Sequence, residues 1–534
     1  MMKIELPDRL NCATVFIDDH LAAGRGAKPA ILCGERTVTY EQLHDEVNRF
    51  GNVLKELDVR MEERVATLLF DSPEWVITFF GPMKIGAVTL PLNTNLKGSD
   101  YVYYLEDSRA RVLVAQAALW ERIAEFRPQL RYLRHVILVD GAAPGCLSWD
   151  ELLRSASPAL EPADTSKDDM AFWIYSSGTT GSPKGAIHLH HDMIIEADLY
   201  ARGVLGVCES DVSFSVAKLF FAFGLGNGLY FPLRVGGTTV LLPDRPTPEK
   251  VFEVIDRFQP TVFYSVPTSY VQLLNHAELT GRQQLGRVRL CVSAGEALPK
   301  HIFEKWQQRF GHEILDGIGS TEILHIYISN RPGAAVPGST GQLVPGYEAR
   351  ICDDEGRDLP QRQVGTLHIK GDSIASGYWN KHEESKNTFR GHWINTRDKF
   401  LVDEDGFFWY AGRTDDMFKV SGQAVWPTDV EGLLFQHPAV LESGVVGGVD
   451  PSGLIKPVAF VVLKEGFQGT PELAREIQDY VKSITNPHKY PRAVVFVDSL
   501  PKTSTGKIKR YQLRELVGRI TPLHAKQGGA PDKP

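Results

Sequence analysis

The sequence has few cysteines and no pattern that would join them. Six cysteines are scattered over 534 residues, and none forms a C-x-x-C pair. Neither a zinc site nor a disulfide framework is indicated, and a reducing, cytoplasmic setting is the simplest expectation. The chain also lacks a run of about 18 apolar residues, so no transmembrane helix is expected. Its N-terminus carries acidic residues and no apolar segment of the kind found in signal peptides.

Positive charge is not in excess either. The formal net charge is -8, so the chain offers no general basic field for nucleic acid or for an acidic membrane surface. Hydrophobic residues make up 43% and charged residues 23%, which is typical of a globular protein. A length of 534 residues is too great for one simple core and predicts two or more domains.

Short apolar runs alternate with helical patterns up to about residue 310. Runs such as 65–70 and 112–114 predict strands, and stretches such as 39–57 and 248–258 predict helices. This alternation predicts βαβ units and largely parallel sheets. The fold class predicted for this part of the chain is therefore α/β.

The pattern changes after about residue 338. Acidic turns such as 353–356 and 403–406 predict hairpins, and therefore a small β subdomain or barrel, up to about residue 411. A compact α+β segment follows. We predict an N-terminal domain over 1–412, a boundary at 413–416, a C-terminal domain over 417–521 and a disordered tail over 522–534.

A loop rich in glycine and hydroxyl side chains follows the apolar run 170–175. Its first residues are Ser176, Ser177, Gly178, Thr179, Thr180 and Gly181, and Lys184 comes shortly after. Accessible backbone N–H groups, hydroxyl donors and a lysine suit the anionic oxygens of a polyphosphate. The spacing is not that of the usual P-loop. Taken alone, such a cluster is more often a flexible surface loop.

Two later stretches have a similar double interpretation. The run Asp316-Gly317-Ile318-Gly319-Ser320-Thr321-Glu322 could wrap a nucleotide and place one carboxylate at a metal, although a turn is the commoner explanation when it is taken alone. The lysine-rich run 501–510, which contains Lys507, would ordinarily be a basic surface loop. The order of these stretches along the chain adds to what each of them indicates.

Together the stretches resemble the adenylate-forming superfamily, which comprises acyl-CoA synthetases, peptide-synthetase adenylation domains and luciferases. The matches run from Tyr175 to Arg510 and cover nearly the whole chain. The resemblance implies a large N-terminal domain of two α/β subdomains plus a small β-barrel-like subdomain, followed by a mobile α+β C-terminal domain. It also implies that ATP, Mg²⁺ and CoA take part in an acid–thiol ligation.

The resemblance assigns roles to individual residues. It implies that Thr321 contacts the α-phosphate and that Glu322 holds Mg²⁺, a metal that suits a carboxylate with phosphate oxygens and water. A carboxylate that attacks a negative α-phosphate would be helped by a mobile ammonium, and Lys507 is the candidate. The other ATP or AMP positions are those of the glycine loop (176–181), Lys184, Gly295, Glu296, Asp316, Gly317, Ile318, Asp398 and Arg413.

Two of these positions depart from the family pattern. Ile318 stands where an aromatic residue is usual, so adenine would stack on an aliphatic side chain. Asp398 is the last residue of the run Asn-Thr-Arg-Asp, where the family usually has Thr-Gly-Asp. The alternative interpretation of Asp398 is an acidic residue in a solvated loop. The resemblance further implies that Asp415 is the pivot of the C-terminal domain, and that Lys419, Ser421 and Gly422 line the channel for the pantetheine arm of CoA.

The acid pocket is expected to be flat and apolar. Two runs, 220–228 and 316–325, resemble the benzoate–CoA ligases, with Phe223 in place of an expected tyrosine. A pocket lined by aromatic side chains on its sides and by small residues at its base fits a flat ring. By composition alone, however, the phenylalanines would be ordinary core residues. The missing hydroxyl leaves benzoate, a substituted benzoate, 2-furoate and another small carboxylate open. It disfavours 4-hydroxybenzoate, because a buried ring hydroxyl would need a partner, unless His325 supplies one. The pocket residues are Phe221, Ala222, Phe223, Ala294, Gly319, His325 and Ile326.

Two other classes of function remain as alternatives. One is an adenylation enzyme that loads a separate carrier protein, and the other is a non-catalytic nucleotide-binding protein. The presence of Lys507, Glu322 and Asp415 argues against the second. A homodimer is compatible with the sequence. A lysine acetyltransferase acting on Lys507 would remove its charge and is expected to abolish adenylation.

Overall fold

A computed structural model describes residues 4–176, 182–413, 416–420, 423–450, 454–502 and 508–519. The chain divides into two compact units. The first comprises the described residues up to Arg350, with His368–Thr396 and Asp403–Trp409; the second comprises Ile351–Leu367, Arg397–Val402 and the described residues from Tyr410 on. None of the helices in these ranges is both long enough and apolar enough to cross a membrane.

The strands of the described ranges, in chain order, are β1 (Pro29–Cys33), β2 (Arg36–Thr39), β3 (Arg64–Leu68), β4 (Val88–Pro91), β5 (Val112–Ala115), β6 (His135–Leu138), β7 (Leu147–Ser148), β8 (Met170–Ser176), β9 (Lys184–Leu189), β10 (Val212–Ser215), β11 (Thr238–Leu241), β12 (Val262–Ser265), β13 (Leu290–Ser293), β14 (Ile314–Gly319), β15 (Ile326–Ser329), β16 (Gln342–Leu343), β17 (Glu348–Cys352), β18 (Gly365–Lys370), β19 (Phe389–Arg390), β20 (Trp393–Val402), β21 (Phe408–Arg413), β22 (Phe418–Val420), β23 (Gln423–Val425), β24 (Val440–Val449), β25 (Ile455–Leu463) and β26 (Ala493–Phe496).

The α-helices of the same ranges are α1 (Asp19–Ala22), α2 (Tyr40–Glu56), α3 (Pro73–Lys84), α4 (Gly98–Ser108), α5 (Ala117–Trp120), α6 (Trp149–Ser155), α7 (Asp192–Glu196), α8 (Ala222–Leu225), α9 (Phe231–Arg234), α10 (Pro248–Phe258), α11 (Pro267–Thr280), α12 (Lys300–Phe310), α13 (His382–Thr388), α14 (Pro427–Leu434), α15 (Pro471–Ile484) and α16 (Arg510–Arg519).

Two large sheets form the first unit. One has seven strands in the order β7-β6-β5-β3-β4-β8-β9, parallel except for β9, which returns antiparallel to β8. The other has nine strands in the order β16-β15-β14-β13-β12-β10-β11-β1-β2, parallel from β14 to β1. The predicted α/β class and largely parallel sheets are confirmed. Parallel strands are buried on both faces, which explains their continuous apolar runs.

The helices that cover these sheets follow from local sequence signals. Helix α10 begins after Thr247, whose side chain accepts a hydrogen bond from the Lys250 N–H, and Pro248 occupies its first turn. Its apolar residues recur with helical spacing and are buried in the core of the nine-stranded sheet. The helix ends at Phe258, and the next residue, Gln259, takes a left-handed conformation with φ 48°. The predicted helix 248–258 is therefore confirmed.

The region predicted to be a small β subdomain forms a five-stranded sheet. Its order is β17-β18-β20-β19, with β21 paired to β20. The predicted acidic turn at 403–406 connects β20 to β21, and the Asp403 carboxylate accepts the backbone N–H groups of Asp405 and Phe407. Short-range acceptance of this kind is why aspartate favours turns.

The second unit carries its own core. A three-stranded sheet, β24-β25-β26, packs against helices α14 and α15 through buried residues such as Val445, Val461 and Ile477. Helix α16 contacts β24 from its buried Leu513. This is the α+β composition predicted for the C-terminal part of the chain. The boundary at 413–416 stays a prediction, because residues 414–415 lie outside the described ranges.

Candidate active site

The glycine loop joins the ends of two paired strands. Ser176 at the end of β8 pairs with Lys184 at the start of β9, and Tyr175 pairs with Gly185. The Tyr103 hydroxyl donates to the Pro183 carbonyl at 2.8 Å. The residues on either side of the loop are therefore held together, and β8 ends at Ser176 as the apolar run 170–175 predicts. Residues 177–181 lie outside the described ranges, so the predicted roles of Ser177, Gly178, Thr179, Thr180 and Gly181 stay predictions.

The second predicted motif runs along β14 and into a tight turn. Asp316, Gly317 and Ile318 belong to β14, and Thr321–Ile323 form one turn of 3-10 helix directly after it. A Cβ at Gly319 would lie 2.3 Å from the His325 carbonyl oxygen, so the backbone approaches too closely there for any side chain. The motif begins beside the carboxyl end of β13, where Asp316 pairs with Ser293, and ligands commonly bind at such strand ends in α/β sheets.

Three consecutive carbonyls of this turn accept hydrogen bonds from buried donors. His188 Nε2 lies 2.8 Å from the Thr321 oxygen, the Ala375 N–H donates to Glu322 at 2.8 Å, and the Ser373 hydroxyl donates to Ile323 at 2.9 Å. The next residue, Leu324, has φ 79°, in the left-handed region that a leucine rarely adopts. We call the three donors His188, Ala375 and Ser373 the carbonyl frame.

The side chain of Glu322 is also held. The Tyr378 hydroxyl donates to Glu322 Oε1 at 2.7 Å, and Lys184 Nζ lies 5.4 Å from the centre of the Tyr378 ring. Tyr378 thus links the loop lysine to the predicted magnesium ligand, which the sequence motifs alone do not reveal. Lys184 itself is 8% exposed.

The residues present fit a magnesium ion that is bound together with nucleotide phosphates. Among the described residues no group of three or more His, Cys, Asp or Glu side chains could hold a metal on its own. Glu322 is half-buried, and its Oε2 makes no hydrogen bond within the described part of the chain. A single free carboxylate oxygen is the donor that Mg²⁺ uses when phosphates and water complete its shell.

Three buried side chains support the carbonyl frame from behind: Asp192, Tyr347 and Glu196. His188 Nδ1 lies 2.7 Å from Asp192 Oδ2, and both side chains are fully buried. Tyr347 Oη lies 2.6 Å from the Ser373 hydroxyl and shares a short hydrogen bond with Glu196. Burial raises the pKa of Glu196 to about 8. None of these residues belongs to a predicted motif, although the run of histidines and Asp192 after the glycine loop was a signal that could have been pursued.

The predicted pocket residues Phe223 and His325 lie together in an aromatic cluster. Their ring centres are 5.4 Å apart, and Phe231, Tyr200 and Tyr230 contact the His325 ring at 4.5, 5.7 and 6.4 Å. Burial lowers the pKa of His325 to about 3, so the ring is neutral. Its Nε2 donates to the Phe223 carbonyl at 3.1 Å, whereas Nδ1 has no partner among the described residues.

The other pocket positions have varied environments. Phe221 is half-buried and its ring packs edge-on against Phe220 at 4.4 Å, while Ala222 and Ile326 are buried. Ala294 is buried directly after β13. The next residue, Gly295, has φ 94°, which requires glycine, and is exposed.

Three other predicted nucleotide contacts are Glu296, Asp316 and Ile318. Glu296 Oε2 accepts the Thr268 hydroxyl at 2.9 Å. Asp316 is buried, and burial raises the pKa of its carboxyl well above the usual value. Ile318 pairs with Ile328 in the sheet and is half-buried, as an aliphatic contact surface requires.

The predicted ribose ligands lie together in the second unit. Arg413 Nη1 is 3.8 Å from Asp398 Oδ1, and Asp398 is 7% exposed. This burial disfavours the alternative of a solvated loop acid. Lys419 is exposed in β22. Asp415, Ser421 and Gly422 lie outside the described ranges.

The stretch that contains Lys507 is fixed at its two ends. Lys502 pairs with Ile508 in an isolated antiparallel bridge, and the Lys509 N–H donates to the Pro501 carbonyl at 2.8 Å. Arg510 Nη2 then lies 2.8 and 2.6 Å from the two carboxylate oxygens of Glu431. Lys507 lies outside the described ranges, so its role remains a prediction.

Arg510 is a structural anchor that the sequence motifs do not identify. Burial disfavours its charged form, but the carboxylates of Glu431 and Asp416 outweigh burial and raise its pKa. Glu431 in turn accepts the Val445 N–H at 2.8 Å. The base of the 503–507 stretch is thereby tied to helix α14 and to strand β24.

Comparison with known proteins shows the family to which the chain belongs. A model of the AMP-binding enzyme family matches residues 19–379, and a model of the AMP-binding enzyme C-terminal domain matches residues 429–507. The chain belongs to the AMP-binding enzyme family. The order of the motifs implied that the chain is a member of this family, and the family models confirm the resemblance.

Several members of the family match nearly the whole chain. The chain is 47% identical to the benzoate–CoA ligase of Thauera aromatica, over 96% of this chain and 97% of the relative. It is 43% identical to the 4-hydroxybenzoate–CoA/benzoate–CoA ligase of Rhodopseudomonas palustris, over 95% and 94%. The solved structure of the anthranilate CoA ligase AuaEII in complex with anthranoyl-AMP is 42% identical, covers 96% of this chain and 98% of its own, and has a TM-score of 0.92.

Proposed function

We propose that this family member is an ATP-dependent aryl-CoA ligase. It converts benzoate or a close analogue, with ATP and CoA, into the aryl-CoA, AMP and diphosphate. The observation that carries this proposal is the buried aromatic cluster around Phe223 and His325, next to the turn that bears Glu322. The activities of the relatives, which act on benzoate, 4-hydroxybenzoate or anthranilate, support a flat aromatic acid.

The proposed reaction has two steps. A carboxylate oxygen attacks the α-phosphorus of ATP, and diphosphate leaves. The CoA sulfur, having lost its proton, then attacks the acyl carbon, and AMP leaves. Lys507 would offset the repulsion between the carboxylate and the α-phosphate in the first step, and Thr321 would donate to the α-phosphate. Mg²⁺ would neutralise phosphate charge, with Glu322 as its protein ligand.

The remaining predicted sites complete the proposal. The 176–181 loop and Lys184 would bind the phosphates, Asp398 and Arg413 the ribose, and Gly295, Glu296 and the 316–318 strand the adenine side. In the second step the C-terminal domain would pivot at Asp415, so that Lys419, Ser421 and Gly422 line the route of the pantetheine arm. A cytoplasmic setting, a homodimer and acetylation at Lys507 belong to the same proposal.

A second candidate is a ligase for an amino- or hydroxy-substituted benzoate. His325 is neutral, and its Nδ1 is a buried acceptor without a partner in the described part of the chain. An unpaired buried acceptor is unfavourable, so a ring substituent that donates a hydrogen bond would be preferred to a bare ring at that position. Anthranilate is such an acid, and AuaEII was solved with anthranoyl-AMP.

The test is diphosphate release with ATP and Mg²⁺ over a panel of acids, each with and without CoA. The panel contains benzoate, 2-aminobenzoate, 4-hydroxybenzoate, 2-furoate, acetate and a medium-chain acid. We expect CoA-dependent turnover with the aromatic acids, and the order of benzoate and 2-aminobenzoate decides between the two candidates. A preference for acetate or the aliphatic acid would overturn the aromatic pocket, and transfer to a carrier protein but not to CoA would favour the carrier-loading alternative.

A further inference from the structure

His188 contacts the catalytic turn from behind and has no role in the proposed chemistry. Its ring bridges two acceptors: Nδ1 lies 2.7 Å from the Asp192 carboxylate and Nε2 lies 2.8 Å from the Thr321 carbonyl. A carbonyl oxygen can only accept, so Nε2 donates. The carboxylate at Nδ1 fixes the ring orientation and stabilises a ring that donates from both nitrogens.

The surroundings leave the His188 ring little freedom. The side chain is fully buried and stacks on Phe172, with ring centres 5.1 Å apart and an angle of 18° between the planes. Asp192 Oδ2 also accepts the Leu189 N–H at 3.1 Å, so the carboxylate is itself fixed. The Nε2 donor therefore has a defined position, and the backbone of the turn must meet it.

The carbonyl that it meets belongs to the residue before Glu322. Shifting the Thr321 carbonyl rotates the peptide plane that leads into Glu322, and with it the direction of that side chain. A carboxylate held by Tyr378 at one oxygen can keep the other available only if its backbone is fixed. Groups that orient a metal ligand in this way are a general requirement of metal sites.

We propose that His188, held by Asp192, is a positioning residue that fixes the Thr321–Glu322 peptide and thereby the affinity of the site for ATP-bound magnesium. This inference rests on the proposed function for the role of Glu322. It assigns a contribution to residues outside every motif that the sequence offers. Asp192 acts together with His188, and both residues act through the carbonyl oxygen of Thr321.

The two ring nitrogens can be tested separately. An asparagine amide occupies roughly the position of Nδ1, so His188→Asn keeps a partner for Asp192 but cannot reach Thr321. A glutamine amide reaches the position of Nε2, so His188→Gln keeps a donor for the Thr321 carbonyl. The matched control is His190→Asn. His190 is also fully buried two residues away, but its Nδ1 accepts the Cys12 N–H at 3.1 Å, and within the described part of the chain it makes no hydrogen bond to the turn.

The measurement is Mn²⁺ binding to the complex of each full-length variant with α,β-methylene-ATP, followed by electron paramagnetic resonance with no acid or CoA present. We expect His188→Asn to weaken Mn²⁺ affinity by about 10- to 100-fold, the range found when a supporting partner of a metal ligand is removed. We expect His188→Gln to recover most of the affinity and His190→Asn to leave it unchanged. Thermal melting of all variants reports the purely structural effect.

Equal loss in His188→Asn and His188→Gln, or equal behaviour of His188→Asn and His190→Asn, would overturn the proposal. If His188→Asn does not fold, Asp192→Asn replaces it; it removes the charge that orients the ring, and unchanged Mn²⁺ affinity would again overturn the proposal. Because no acid is present, the result is independent of the acid that the enzyme uses. A wild-type protein that binds Mn²⁺ and the ATP analogue but activates no aromatic acid would refute the proposed function alone.

Discussion

Glu196 offers the sharpest prediction, because the hydrogen atoms around it can be counted. Three contacts join Glu196 to Tyr347, Tyr347 to Ser373 and Ser373 to the Ile323 carbonyl. Three hydrogen bonds need three hydrogens, and the two hydroxyls supply only two. The carbonyl cannot donate, so the third hydrogen must come from Glu196. The hydrogen count and the complete burial together favour a neutral carboxylic acid at this position.

The pKa agrees and sets the size of the effect. Burial raises the pKa of Glu196 from 4.5 to about 8, so the folded protein keeps a proton that the unfolded chain releases above pH 4.5. Unfolding then releases a proton between these values, and stability falls as pH rises from 4.5 to 8 and levels off above that. At about 1.4 kcal/mol for each pKa unit, the interval sets a ceiling of about 5 kcal/mol.

The perturbation is Glu196→Gln, which donates from its amide at every pH and cannot ionise. We expect the free energy of unfolding of the variant, minus that of the wild type, to rise by several kcal/mol between pH 5 and pH 8, within the ceiling of about 5. The measurement is urea denaturation at half-unit pH steps, followed by the fluorescence of buried tryptophans such as Trp173. Glu383→Gln, at an exposed position on α13, is the matched control and should give a flat difference.

A flat difference for Glu196→Gln would mean that Glu196 is ionised in the folded protein and that the hydrogen count is wrong. A difference that falls with pH would mean that the carboxylate is stabilised by a positive charge that the described contacts do not contain. In either case the path from α7 to the Ile323 carbonyl would have to be revised. Only a rise confined to the interval between 4.5 and 8 supports the neutral acid.

Three further predictions address the site and its supports. Gly319→Ala should abolish aryl-AMP formation in a diphosphate-release assay, because the new Cβ would lie 2.3 Å from the His325 carbonyl and the backbone of the turn would have to move. Arg510→Met should lower the stability of the second unit by about 3 kcal/mol in denaturation experiments, since it leaves the Glu431 carboxylate buried without its cationic partner. The double variant Arg510→Met/Glu431→Leu should recover much of this loss. Lys507→Ala should reduce aryl-AMP formation far more than thioester formation from supplied aryl-AMP; equal loss in both half-reactions would contradict its assigned role.

The sheets were predictable because their signals are local. The apolar runs at 65–70 and 112–114 correspond to β3 and β5, and the capped amphipathic pattern at 248–258 corresponds to α10. Strand β24 was not predicted, since Gly444, Gly447 and Gly448 interrupt its apolar pattern. Those glycines have a packing reason: a Cβ at Gly447 would meet the Phe418 ring at 2.9 Å.

The supports of the candidate site could not be predicted, because they are set by tertiary contacts. His188 meets Thr321 across 133 positions of sequence, and Tyr347 meets Glu196 across 151. No periodicity or motif spacing encodes such pairs, whereas the loop residues that are predicted to contact a ligand are contiguous and could be recognised together. The sequence therefore indicates what binds the ligand better than what holds the binding residues in place.

The strain at Leu324 explains why the turn needs so many buried supports. A non-glycine residue in a sparsely populated region costs about 1–3 kcal/mol, and Leu324 pays this at φ 79° while fully buried. Each net hydrogen bond contributes about 0.5–1.5 kcal/mol, so the three donors of the carbonyl frame together are of the size needed to offset the strain. If the backbone of the turn relaxed at Leu324, Thr321 and Glu322 would move out of their present positions. The frame therefore serves the position of these two side chains more than the overall stability, and the variants of His188 and Glu196 test this from opposite ends of the turn.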